Sequence, residues 1–243
     1  MFFDPLYMMI MAVCLILSAA ASFKVKTAFA AGKRIGISSG LSGAETAERI
    51  LRANGITGVS VIRGRGYLTD HYNPVNRRLV LSPEVYDGTS ASSVGVAAHE
   101  TGHAIQHAVG YKPLRFRSAI VPLVNIGSSV GLWMVIIGVI LGSAYQAASG
   151  HLSLGYYLAL TGVILYATVF LFSFITVPVE IDASRRALKE LQRDGIVRTE
   201  TEAATVKSVL SAAALTYVAA AVGSLLQQLF YWILRSGILN RRD

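Results

Sequence analysis

The sequence predicts a mainly α-helical membrane protein, with about four transmembrane helices and a smaller polar part that adds a small β-sheet. Three observations carry this prediction. Only 15% of the 243 residues are charged and 53% are hydrophobic, whereas an ordinary soluble domain carries ~25% charged residues. The mean hydropathy is +0.52. Four stretches, about Leu6 to Phe23, Ala119 to Ser143, Leu154 to Val177 and Ser208 to Leu234, are long and nearly free of charge, and each approaches or exceeds the ~20 residues that cross ~30 Å of hydrocarbon as a helix.

The first stretch reads as a retained anchor. No Lys or Arg precedes it, and Lys24 and Lys26 follow it, the reverse of a cleaved secretory signal. The chain then divides into an anchor (1–23), a polar segment (24–118), a hydrophobic hairpin (119–177), a second polar segment (178–207), and a fourth span with its tail (208–243). Lys and Arg number 13 in Lys24 to Ser118 and 6 in Pro178 to Lys207, with none in Ala144 to Ser153. Both polar segments are therefore expected on the cytoplasmic face of a multi-pass cell-membrane protein, where they can meet. The net charge of +8 is explained by this topology. The basic residues show no aromatic interleaving, so nucleic acid is not an expected partner. The fourth stretch either crosses, leaving Arg235, Arg241 and Arg242 outside, or bends near Gly223 and returns. Cys14, the only cysteine, lies within the first span, so no intrachain disulfide or cysteine metal site is available.

In the first polar segment, Gly43 to Gly55 reads as a short amphipathic helix with Ala44, Ala47, Ile50 and Leu51 on one side and Gly55 as its stop. Strands are expected at Val59 to Arg63, Tyr67 to Tyr72 and Arg77 to Ser82, with Asn73 to Asn76 as a turn. Ser90 then caps a helix over about Ala91 to Ala108, ended by Gly110 and Pro113. In the second polar segment Glu180 to Arg193 reads as a helix stopped at Gly195.

The capped helix contains His99-Glu100-Thr101-Gly102-His103, the pattern HExxH. Residues four apart on a helix are rotated by ~40° and displaced by ~6 Å, so both imidazoles leave one face. Two such imidazoles can hold one zinc ion at about 2.0–2.1 Å, with Glu100 beside a water on the metal. Zinc lowers the pKa of that water toward ~7, which lets a carboxylate take its proton and later return it to the leaving amine.

A third protein ligand is needed to leave the fourth position for water. The metzincin pattern would need Gly and His where this chain has Gln106 and Val109. His107 lies ~12 Å from His99 along a helix axis and reads as an exposed or hydrogen-bonded side chain. Glu180 is the better candidate, since it is expected to open a helix just after the third span, where a carboxylate needs a partner. Asp182 and Asp194 are alternatives, and Asp182 could instead accept the outer N–H of a liganding imidazole.

With these motifs in place, the chain resembles the membrane-integral neutral zinc metallopeptidases of the YugP-like family. The resemblance rests on residues 68–74 (LTDHYNP), 79–86 (LVLSPEVY), 95–106 (GVAAHETGHAIQ) and 177–187 (VPVEIDASRRA), together with the order of the spans. More distantly it is similar to the HtpX-like and CAAX prenyl proteases. There an HExxH helix, a membrane hairpin and a glutamate ligand follow in this order. The resemblance implies a zincin-like, gluzincin catalytic unit in residues 24–118, one catalytic zinc ion held by His99, His103 and Glu180, and peptide or membrane-protein substrates, with membrane-protein quality control as the setting. Where those relatives carry an Asp four residues after the glutamate, this chain has Ser184. Gluzincins use a His, Tyr or Arg to stabilise the oxyanion. His71 or Tyr72 could serve here, as could Arg185 or Arg186.

Two other classes fit less well. A site-2-type intramembrane protease places HExxH in a hydrophobic span, whereas the 91–108 helix is amphipathic. A catalytically silent scaffold with structural zinc would be expected to use four ligands including cysteine.

Overall fold

A computed structural model describes residues 5–149 and 154–240. The uncharged loop expected around 144–153 therefore falls at 150–153 outside the described residues, as do Arg241 and Arg242. The helices are α1 (Pro5–Lys33), α2 (Gly43–Ala53), α3 (Pro83–Asp87), α4 (Ala91–Ala108), α5 (Lys112–Ile126), α6 (Leu132–Ser149), α7 (Leu154–Arg193) and α8 (Glu200–Asn240), and the strands are β1 (Ser60–Arg63), β2 (His71–Asn73) and β3 (Arg78–Leu81). Among the described residues, four helical stretches are long and apolar enough to cross a membrane: Pro5–Lys33, Lys112–Gly142, Leu154–Arg193 and Glu200–Ile233. The protein is thus a mainly helical membrane protein with a small three-stranded sheet.

The chain forms two compact units. One contains residues 1–18, 116–177 and 217–243. Its core is Ile10, Val135, Val163, Tyr166, Phe230 and Tyr231. Lipid supplies no hydrophobic drive between such helices, so they associate by close packing. Small residues provide it here. A Cβ on Gly138 would run into the backbone of Ala159, and one on Gly155 into that of Gly142. Between α5 and α6 the helix widens to a π-turn over Gly127–Gly131. The segment α8 stays helical through Gly223.

The second unit comprises residues 19–115 and 178–216. Its sheet has the order β1-β3-β2, with β1 parallel and β2 antiparallel to β3. The strand β2 is shorter than its composition suggests. Gly66 and Leu68 adopt positive φ, which breaks the pleat over 67–70, and pairing begins only at His71. Asn73 Oδ1 accepts the Val75 N–H at 2.9 Å, the turn chemistry expected of Asn before Pro.

The helix α4 is central to this unit. Ser90 caps it, accepting the Ser93 N–H at 3.2 Å. One side joins Ile50, Ala98, Ile105, Ala187, Leu191 and Leu210, and the other meets Phe29, Leu79, Leu81 and Val85 through Ala97. Burial on two sides explains why α4 is rich in Ala, Ser and Gly. The helix α2 carries the Ser42–Glu45 capping box, and Gly55 takes φ 65° beyond its end.

One expectation needs correction. Glu180 does not open a helix; it lies inside the unbroken 40-residue α7. Pro178 removes one helical N–H, yet Val179, Ala183, Ala187 and Leu191 are all nearly fully buried at spacings of four. Packing of that stripe outweighs the local cost of proline.

Candidate metal centre

Helix geometry sets the first two groups. His99 and His103 stand one turn apart on α4, with ring centroids 4.9 Å apart and planes nearly perpendicular. The third group comes from α7. Gly102 faces the backbone of Ala183, and this close approach brings Glu180 opposite the imidazoles. Its Oε2 lies 3.1 Å from His99 Nε2 and 3.4 Å from His103 Nε2. All three candidate ligand atoms lie within 4.8 Å of one another, and Glu180 and His99 are buried.

The outer nitrogens of both rings are engaged. His99 Nδ1 is 3.1 Å from Ser184 Oγ, and His103 Nδ1 is 2.9 Å from Gln106 Oε1. The Gln106 amide donates to the Val179 carbonyl at 2.9 Å and to Asp182 Oδ2 at 2.8 Å. Asp182 Oδ2 also accepts Arg186 Nε at 2.6 Å, and the Arg186 guanidinium sits over the Tyr111 ring at 5.7 Å.

The donor set fits a zinc ion. Each ring has its outer nitrogen engaged and its Nε2 turned to the Glu180 carboxylate, and a nitrogen lone pair facing a carboxylate oxygen repels it unless a proton or cation lies between them. Bonds of about 2.0–2.2 Å in a tetrahedral shell place ligand atoms ~3.3–3.5 Å apart, close to the separations of 3.1 and 3.4 Å from Glu180 Oε2. Two nitrogens and one oxygen, with no sulfur, is the set of an open catalytic site. Burial disfavours the charged form of Glu180, but hydrogen bonds and charge from His103 and His99 outweigh it and hold the carboxyl well below the usual range.

The remaining candidates are placed as follows. Glu100 follows His99 on α4 and is partly exposed. The nearby carboxyl of Asp70 is raised, chiefly by burial, with the charge of Glu100 adding to it against hydrogen bonds from Ser82. His71 lies on the edge strand β2, exposed, with Nδ1 2.8 Å from the Thr69 carbonyl. The hydroxyl of Tyr72 is 2.8 Å from His107 Nδ1, so His107 is a hydrogen-bonded side chain. Asp182 lies one link behind the His103 imidazole, on Gln106. Asp194 bonds Arg193 Nε at 3.0 Å, and Arg185 is exposed.

Sequence reading named Gln106 and Ser184 only as departures from other patterns and did not foresee their contacts with the two imidazoles. The available signal was spacing: Gln106 is three residues past His103, and Ser184 four past Glu180, so each shares a helix face with a candidate ligand.

Comparison with known proteins points the same way. A family described as "Putative neutral zinc metallopeptidase" matches residues 7–237. The chain is 43% identical over 223 residues to a Bacillus subtilis (strain 168) protein described as "Putative membrane protease YugP", covering 92% of each chain. No solved structure matches.

Proposed function

Because the chain belongs to this family of neutral zinc metallopeptidases, we propose that it is a membrane-bound zinc-dependent endopeptidase of the gluzincin type. The observation that carries the reading is the convergence of His99, His103 and Glu180 on one point, with Glu100 on the same helix. His99, His103 and Glu180 would hold the ion. When bound, zinc supplies Lewis acidity that lets a water ionise near neutral pH.

The chain's own residues do the rest. Glu100 takes the proton of the attacking water and returns it to the amine nitrogen as the peptide C–N bond breaks. His71, with an exposed ring on the strand beside α4, is assigned to the developing oxyanion. Residues 24–118 and 178–207 make the catalytic part, and 1–23, 119–177 and 208–243 the anchor, hairpin and last span. The site is assigned to the cytoplasmic side of the cell membrane, acting on membrane-protein segments in quality control.

Metal analysis and labelled-casein hydrolysis on the full-length protein in detergent test the reading. One zinc per chain with chelator-sensitive hydrolysis is expected. Glu180→Ala should lose the metal, because two imidazoles alone bind weakly; full zinc occupancy in that variant would place the third ligand elsewhere.

A further inference from the structure

Resting on the assignment of His99, His103 and Glu180 as zinc ligands, we propose that Gln106 is the positioning residue of this centre. Its neutral amide, locked in one orientation by α7, fixes His103 as the Nδ1–H tautomer and so aims the Nε2 lone pair at the metal.

The argument runs through hydrogen-bond capacity. Gln106 is fully buried, so its amide must find all its partners within the protein. Both N–H groups are used, one on the Val179 carbonyl and one on Asp182 Oδ2. Those two atoms are acceptors only, so the NH2 end must face them. Oε1 is left for His103 Nδ1 at 2.9 Å, and an amide oxygen only accepts. Nδ1 must therefore carry the hydrogen. Asp182 is itself pinned by Arg186, so orientation passes from Arg186 through Asp182 and Gln106 to the ring. Ser184, the partner of His99, is a hydroxyl that can donate or accept and selects no tautomer. Gln106 is thus where a tautomer is decided among the described residues.

The choice of an amide has a charge consequence. A carboxylate bonded directly to His103 would add a negative charge beside Glu180 and raise the basicity of the ring. Here the carboxylate, Asp182, stands one link back. Gln106 orients His103 without adding charge to the centre.

The test measures zinc dissociation constants of the full-length protein in detergent, by competition with a chromogenic chelator. Gln106→Met keeps the volume and removes the amide, and zinc should bind roughly 10–100-fold more weakly. Gln106→Glu should also weaken binding, because its carboxylate faces Asp182. Adding Asp182→Asn to Gln106→Glu removes the facing carboxylate and puts an N–H donor behind the acceptor that His103 uses, and should recover roughly tenfold of that loss. Wild-type affinity in Gln106→Met, or no recovery in the double variant, would overturn the proposal. A wild-type protein that binds no zinc would defeat the metal assignment instead. An independent readout needs no variant: ring-nitrogen NMR of zinc-loaded, histidine-labelled protein should show His103 protonated at Nδ1 and liganding through Nε2. The opposite arrangement overturns the proposal.

Discussion

Gly102 lies so close to Ala183 that a methyl group on it would meet the Ala183 carbonyl oxygen at 2.6 Å. This is contact between the backbones of α4 and α7, one residue before His103 and three after Glu180. It sets the distance across which the carboxylate reaches the imidazoles. Gly102→Ala should destabilise the protein by about 1–3 kcal/mol through overpacking, and should loosen zinc retention because the helices part at the site. Thermal unfolding with metal analysis checks both. If neither moves, the close approach is not what holds Glu180 in place.

Glu100 lies on α4 next to His99, outside the candidate metal-binding group of His99, His103 and Glu180. Glu100→Gln keeps size and shape but removes the base, so zinc should stay near stoichiometric while hydrolysis falls roughly 10²–10⁴-fold. Wild-type turnover in this variant would sink the mechanism.

For the oxyanion, β2 offers His71 and Tyr72, and the structure separates them. The hydroxyl of Tyr72 is taken by His107, whereas His71 is exposed. His71→Ala should therefore lower kcat by roughly 10²–10³ with little change in KM, and Tyr72→Phe should cost less. The reverse order of effects would move the assignment to Tyr72.

How much of this was legible in the sequence depends on the range of the signal. Composition over ~20 residues is a strong, local signature, so the four apolar helices could be read directly. The capping Ser90 and the helix stops at Gly55, Gly110 and Gly195 were legible for the same reason: each is a single-residue backbone requirement, and all three glycines have positive φ. Glu180 was legible as a candidate ligand, yet its setting was not, because the continuation of α7 through Pro178 depends on burial against other elements. The roles of Gln106 and Ser184 are tertiary. Spacing puts Gln106 on the helix face of His103, but only the packing of α7 against that face gives its amide the Val179 and Asp182 partners.

Glu202 shows how a cap outside the centre should appear in the acid stability of the protein. It is buried, accepts the Ser38, Arg198 and Thr199 N–H groups at 2.8, 2.7 and 3.2 Å, and closes the start of α8. Burial works against its ionisation, but the hydrogen bond from the Ser38 hydroxyl, together with these backbone ones, prevails and brings its pKa down to about 2. With the folded value depressed, the unfolded chain binds the proton more readily, so stability rises with pH. The contribution is complete above the unfolded value of ~4.3 and is lost as pH falls toward the folded one. Glu202→Gln should accordingly be less stable than wild type near neutrality, with the gap closing near pH 2. Unfolding measured at both pH values decides; a gap of equal size at both would show that the charge does not matter there.

The final prediction concerns the side of the membrane on which the centre works. The two segments that carry its residues hold 13 and 6 Lys and Arg, and Ala144 to Ser153 holds none, which favours a cytoplasmic position for both segments. Impermeant thiol labelling of intact cells can test this in a Cys14→Ala background, provided the probe position is exposed. Ser82 is unsuitable, being buried and bonded to Asp70. Val75, at the turn between β2 and β3, is 93% exposed. Cysteine at Ser149 should label from outside, and cysteine at Val75 should label only after the cells are opened. Labelling of Val75→Cys in intact cells, with Ser149→Cys protected, would invert the topology and place the peptidase site outside. A third cysteine, at Ser236, then reports whether the last helix crosses: labelling from outside means four complete crossings, with the charge bias of the inner segments outweighing the arginines of the tail.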